Sequence, residues 1–128
     1  MATAASFTID HVAFERITHP ELEAMDSDGL DALSFGVIGL DAAGLADRYN
    51  ATEAHLAGLS PQKVLGRHFF ETVAQCMNNY MVAQRFEDEP DLDEIVPFVL
   101  TLRMRPTPVR LRMLQSSGAE RRYVLIQR

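Results

Sequence analysis

Three side chains of this sequence carry chemistry that one site could use: the Tyr49 phenol, the Glu53 carboxyl and the Cys76 thiol. They bracket the stretch YNATEAHLAGLSPQKVLGRHFFETVAQC, residues 49–76. Residues four apart share one face of a helix, so Tyr49 and Glu53 can point at a common target. Cys76 is the only cysteine. It has no partner for an internal disulfide, and no second cysteine or histidine stands at metal-ligand spacing. The thiol is either buried filler or chemically used. Each of the three also has a plain structural reading. A free cysteine is most often a buried apolar side chain. Tyr49 suits the core at a strand end. Glu53 stands three positions after Asn50, the spacing of a capping box. Burial separates the two readings of Glu53, because a capping glutamate is wet and a ligand partner is dry.

Composition limits what surrounds these groups. With 128 residues, 47% apolar and 23% charged, the chain suits one globular domain with a single core. A net charge of −6 argues against bare nucleic acid as a partner. The arginines at 103, 105, 110, 112, 121 and 122 crowd the last quarter, where strand alternation reads most of them as a wet sheet face. The N-terminal residues lack the basic start and apolar run of a signal peptide. No stretch reaches the ~18 apolar residues that span a bilayer. A cytoplasmic protein with no membrane partner is the expectation.

The elements that must position the site follow from pattern and punctuation. Residues 1–31 mix apolar and acidic side chains too irregularly for one long helix, and form a short N-terminal cap packed on the domain of residues 32–128. In LSFGVIGLD, residues 33–41, Phe35 and Val37 fall on one face and Ile38 and Leu40 on the other, as in a central strand. Gly36 and Gly39 would let something approach the backbone closely. A turn at DAAG and a strand over 45–50 complete a hairpin. Asn50 caps a short helix that Gly58 ends, and Pro61 starts another. Residues 69–76 carry the chain over the sheet, residues 78–86 are helical, and EDEPDLDE is a charged turn. Three strands follow: IVPFVLTLRM, with Val96, Phe98, Leu100, Leu102 and Met104 on one face, then VRLRMLQ and RYVLIQR. The order predicts an α+β domain, one central antiparallel five-stranded sheet with its helices on one face.

This order, with YNATE followed by LAGLSPQKVLGRHFFETVAQC, resembles the PAS fold. LSFGVIGLD, HVAF and MRPTPVR extend the likeness, and the chain resembles the photoactive yellow protein family over residues 11–128. The resemblance implies that Cys76 carries 4-hydroxycinnamic acid (p-coumaric acid) as a thioester. It implies that Tyr49 and Glu53 hydrogen-bond the phenolate, that Phe69, Phe98 and Leu100 lie near it, and that Met104 matches a residue linked to resetting. The implied function is blue-light reception: trans-to-cis isomerisation, proton transfer from a buried Glu53, partial unfolding and signalling to a downstream protein, by a monomer or weak dimer. The sequence departs from the family pattern at Gln75 (a proline), Ala57 (a hydroxyl residue), Leu59 (an arginine) and Leu100 (an aromatic). Two other readings stay open. One is a chromophore-free PAS protein-interaction module. The other is a thiol enzyme, for which no histidine base stands near Cys76, so a non-enzyme is expected.

Overall fold

The structure, a computed structural model, describes residues 13–101 and 105–128. Met104, expected near the site, lies outside the described residues, as does Leu102. Five antiparallel strands form one sheet in the order β2-β1-β5-β4-β3. They are β1 Gly36–Leu40, β2 Ala46–Tyr49, β3 Leu92–Leu100, β4 Thr107–Gln115 and β5 Arg122–Gln127. The order makes β1, β5 and β4 interior, which matches their apolar side chains on both faces. Pro97 stands in β3, an edge strand, where its missing N–H breaks no inner ladder.

Alternation along the strands sends side chains to two separate cores. Ile38, Leu40, Leu111, Met113, Val124 and Ile126 meet Val64, Phe69, Phe70, Met77 and Phe86 on one face. The connecting segment between β2 and β3 covers this face. It contains α3 (Ala51–Ala57), a π-helical turn at Phe69–Val73, a 3-10 turn at Gln75–Met77 and α4 (Ala83–Asp88). Val37, Leu114, Tyr123 and Leu125 point to the opposite face and meet Phe14, Ile17, Leu22 and Leu30. Phe14, Leu22 and Leu30 belong to a helical turn at residues 13–16 and to helices α1 (His19–Ala24) and α2 (Ser27–Asp31), and Ile17 to the link between the turn and α1. Thr18 and Glu21 form a full capping box on α1, and Asp26 caps α2.

Three local expectations are corrected. The helix expected over 78–86 starts only at Ala83. The Asn79 side chain accepts from the N–H groups of Met81 and Val82, a local turn that competes with helix. The charged turn EDEPDLDE is short, because Glu87 and Asp88 end α4 and Asp93 and Glu94 belong to β3. The arginine face of β4 and β5 is not wet. Arg112 is 4% exposed, paired with Asp93 at 2.9 and 3.0 Å and donating to the Phe14 carbonyl. Arg110 lies over the Phe14 ring, and Arg121 pairs with Glu23 and Asp47. The N-terminal segment covers these strands, and their arginines clamp it.

Candidate functional site

The site is built where β2 turns into α3. Asn50 sits between them and is buried. Its side-chain oxygen accepts from the N–H groups of Val37 and Glu53, and its amide donates to the carbonyls of Leu30 and Phe35. It is the expected N-cap of α3, and also a junction of four backbone groups. Tyr49 is the last residue of β2 and Glu53 lies in the first turn of α3, so their common direction does not come from helical spacing. The tight strand-to-helix turn at Asn50 brings them together instead. Burial pushes the Tyr49 phenol above its usual range, and the neighbouring Glu53 charge pushes it further.

Glu53 is 2% exposed, the dry state that separates a ligand partner from a cap. Only half of the capping box forms. The Glu53 N–H is held by Asn50, but its carboxyl does not reach back; it points to Arg128. Gly36 makes room for it. A Cβ on Gly36 would stand 2.0 Å from Glu53 Oε1 and 3.1 Å from its Cβ. Gly39 is a second close approach, against Arg48 and Arg121. The close packing expected at both glycines is present.

Tyr49, Phe69, Cys76, Phe98 and Leu100 come together in or against one core cluster. Phe69 and Leu100 are buried there, while Tyr49, Cys76 and Phe98 are half-buried at its margin. The Tyr49 hydroxyl donates to the Leu59 carbonyl at 3.2 Å. A main-chain oxygen thus holds the phenol where Ala57 offers no hydroxyl. Cys76 lies in the 3-10 turn, whose carbonyl accepts from the Asn79 amide. Among the described residues no ion pair or hydrogen bond reaches its Sγ, and no group of three or more His, Cys, Asp or Glu side chains could hold a metal ion.

No family model matches the chain. Individual relatives do. The photoactive yellow protein of Rhodothalassium salexigens is 33% identical over 102 residues, 77% of this chain and 82% of that protein. That of Halochromatium salexigens is 32% identical over 110 residues, 84% of this chain and 88% of that protein.

The chain belongs to the photoactive yellow protein family. Among solved structures, the photoactive yellow protein domain of the sensor histidine kinase Ppr from Rhodospirillum centenum is 34% identical, with a TM-score of 0.78 over 85% of this chain and 98% of that one. The PAS domain of an HTR-like protein from Haloarcula marismortui is 22% identical with a TM-score of 0.57, a likeness of fold alone. The PAS fold expected from the order of elements is therefore the fold of the chain. No helix among the described residues is long and apolar enough to cross a membrane.

Within this photoactive yellow protein fold, sequence reasoning missed Arg128. Its guanidinium forks onto Glu53, with Nη1–Oε1 at 2.7 Å and Nη2–Oε2 at 3.2 Å. Burial pushes the Glu53 carboxyl up, and the guanidinium opposes that shift without cancelling it. The available signal was faint: an arginine directly after the last apolar strand, in alternation with Val124 and Ile126 of the core face.

Proposed function

We propose that this chain is a blue-light photoreceptor that carries p-coumaric acid as a thioester on Cys76. The observation that carries the reading is the pairing of family membership with a buried carboxyl beside a half-buried phenol, in a core that also reaches the single thiol. The residues fit such a group. Cys76 is partly accessible for attachment, Phe69 and Leu100 supply dry walls with Phe98 at the margin, and Tyr49 and Glu53 supply polar atoms at one end. When bound, the group supplies visible absorption and a double bond that light can turn.

The chain's own residues do the rest. The Tyr49 hydroxyl, which spends its proton on the Leu59 carbonyl, can turn it to an anionic oxygen. Glu53 can donate only when protonated, and burial favours that form. Proton loss from Glu53 places a carboxylate in a dry site, an event large enough to shift packing. α3 carries that shift outward. Asn50 ties its start to Leu30 and Phe35, Thr52 donates to the Leu33 carbonyl, and Asp31 accepts from the Ala51 N–H. Glu53 is thus two steps of hydrogen bonding from the N-terminal segment, which we assign as the part released toward a downstream signalling protein. The reading is sensory rather than enzymatic, in a cytoplasmic monomer or weak dimer.

A second reading is the chromophore-free PAS interaction module, favoured by the way Arg128 satisfies Glu53 without a ligand. Activated p-coumarate separates the two. Adding it to the parent and to Cys76→Ala should give a visible band in the parent that bleaches under blue light, and none in the variant. No band in either protein would leave the interaction module as the reading.

A further inference from the structure

Glu53 and Arg128 form a part-buried ion pair at the site, and the photoreceptor reading gives Arg128 no task. The two-point fork is the geometry of a guanidinium on a carboxylate, so in the ligand-free protein Glu53 accepts hydrogen bonds and donates none. The other groups around Glu53 do not replace this cation. β1 presents Gly36, which has no charge. β2 presents Tyr49, held neutral by burial. From α2, Asp31 is engaged by the Ala51 N–H at 2.7 Å, and on α3 His55 is exposed. Arg105 lines the same cleft as Arg128, His55 and Leu100, a space of about 560 Å³, but no ion pair joins it to Glu53. The Arg128 side chain is 18% exposed, so it borders solvent while its fork stays on the buried carboxyl.

We propose that Arg128 is the counter-ion of this site. It holds Glu53 as a carboxylate in the ligand-free protein, and it balances the one negative charge that Glu53 and a bound phenol share when a single proton lies between them. This rests on the photoreceptor reading for its second half only. When Glu53 gives its proton to a phenolate oxygen, the Glu53 O–H bond breaks, a phenol O–H bond forms, and the charge moves onto the carboxylate. Arg128 is already within reach of it. The proton-transferred state of this chain is therefore a paired state, and the drive to open the fold is weaker than an unpaired buried carboxylate would supply.

The test begins without any ligand. The Glu53 carboxyl is followed by carbon NMR through a pH titration in the parent, Arg128→Gln and Arg128→Lys. Loss of the counter-ion should raise the Glu53 pKa by about one unit or more in Arg128→Gln, a tenfold gain in proton affinity, with Arg128→Lys between the two. Equal pKa values in all three proteins would overturn the proposal. The lysine variant keeps a cation in place and guards against a general loss of packing. The second half is read after loading with activated p-coumarate: the bleached state of Arg128→Gln should recover about tenfold faster than the parent's. An unchanged recovery would overturn the charge-balancing role. If no colour forms in any of the proteins, the photoreceptor reading fails, and the titration alone still decides whether Arg128 is the counter-ion of Glu53.

Discussion

At the scale of single residues, the site depends on a side chain that is missing. Glu53 can bury its carboxyl because Gly36 leaves the strand bare beneath it. Gly36→Ala would set a methyl group 2.0 Å from Oε1, and also 3.1 Å from the Glu53 Cβ, which cannot swing aside as the carboxyl can. The carboxyl must leave its place and the Arg128 fork must open. Overpacking of this kind costs ~1–3 kcal/mol. Urea unfolding should show that loss, and the Glu53 resonance should move to a solvent-like position; a variant of parental stability with Glu53 unmoved would refute the close approach. The sequence shows Gly36 as a place where something comes near the backbone. It does not show what comes near, because the residue that fills the space is seventeen positions away and enters from a helix. The same limit applies to Arg128, whose partner is 75 residues distant. Tyr49 and Glu53 were legible as a pair, although a sharp strand-to-helix turn rather than a helix face joins them.

At the scale of elements, strands were easier to read than the connections between them. Phe35 with Val37, and Ile38 with Leu40, separate cleanly onto the two faces because alternation is a local property of the chain. α4 was misplaced because Asn79 uses its side chain to hold a turn where the apolar spacing suggests helix. The face of Arg110 and Arg112 was misread because the segment that covers it lies about a hundred residues away. Asn50 is the element-scale residue of most consequence, since it joins β1, α3 and the end of α2. Asn50→Ala removes a helix cap, worth about 1 kcal/mol. It also leaves the Val37 N–H and the Phe35 carbonyl without their partner in a dry place, at ~1–3 kcal/mol for each group left unsatisfied, while the Leu30 carbonyl keeps the Leu33 N–H. The expected loss is about 3 kcal/mol, read as a lower urea midpoint with an unchanged slope. A loss below about 1 kcal/mol would mean that Asn50 is an ordinary cap and that α3 is not tied to the N-terminal segment through it.

At the scale of the whole molecule, the sheet is covered on both faces by different means. One face is sealed by the connection between β2 and β3, which the chain cannot release without unfolding. The other is sealed by the N-terminal segment, which is continuous with the sheet only at β1. Its grip is a set of side chains: Arg48 donates to the carbonyls of Leu22 and Met25, Arg112 to that of Phe14, and the His19 ring donates to the carbonyl of Arg121. Side-chain bonds to main-chain oxygens, charge-assisted for the two arginines, leave the strands of the sheet intact when broken, a suitable arrangement for a cover that lifts. Lifting it would bare Phe35, Val37, Leu114, Tyr123 and Leu125 together, an apolar surface on the order of several hundred Å². Such a patch is a docking surface for a partner or for a second copy. Removing residues 1–31 should therefore leave a core of residues 32–128 that keeps its sheet by circular dichroism but self-associates at micromolar concentration in sedimentation velocity. If the truncated protein stays folded and monomeric at tens of micromolar, the covered face is not adhesive, and release of the N-terminal segment could not by itself recruit a partner. If it associates, the proposed photoreceptor function requires that blue light produce the same change in sedimentation in the full chain loaded with p-coumarate, reversing in the dark.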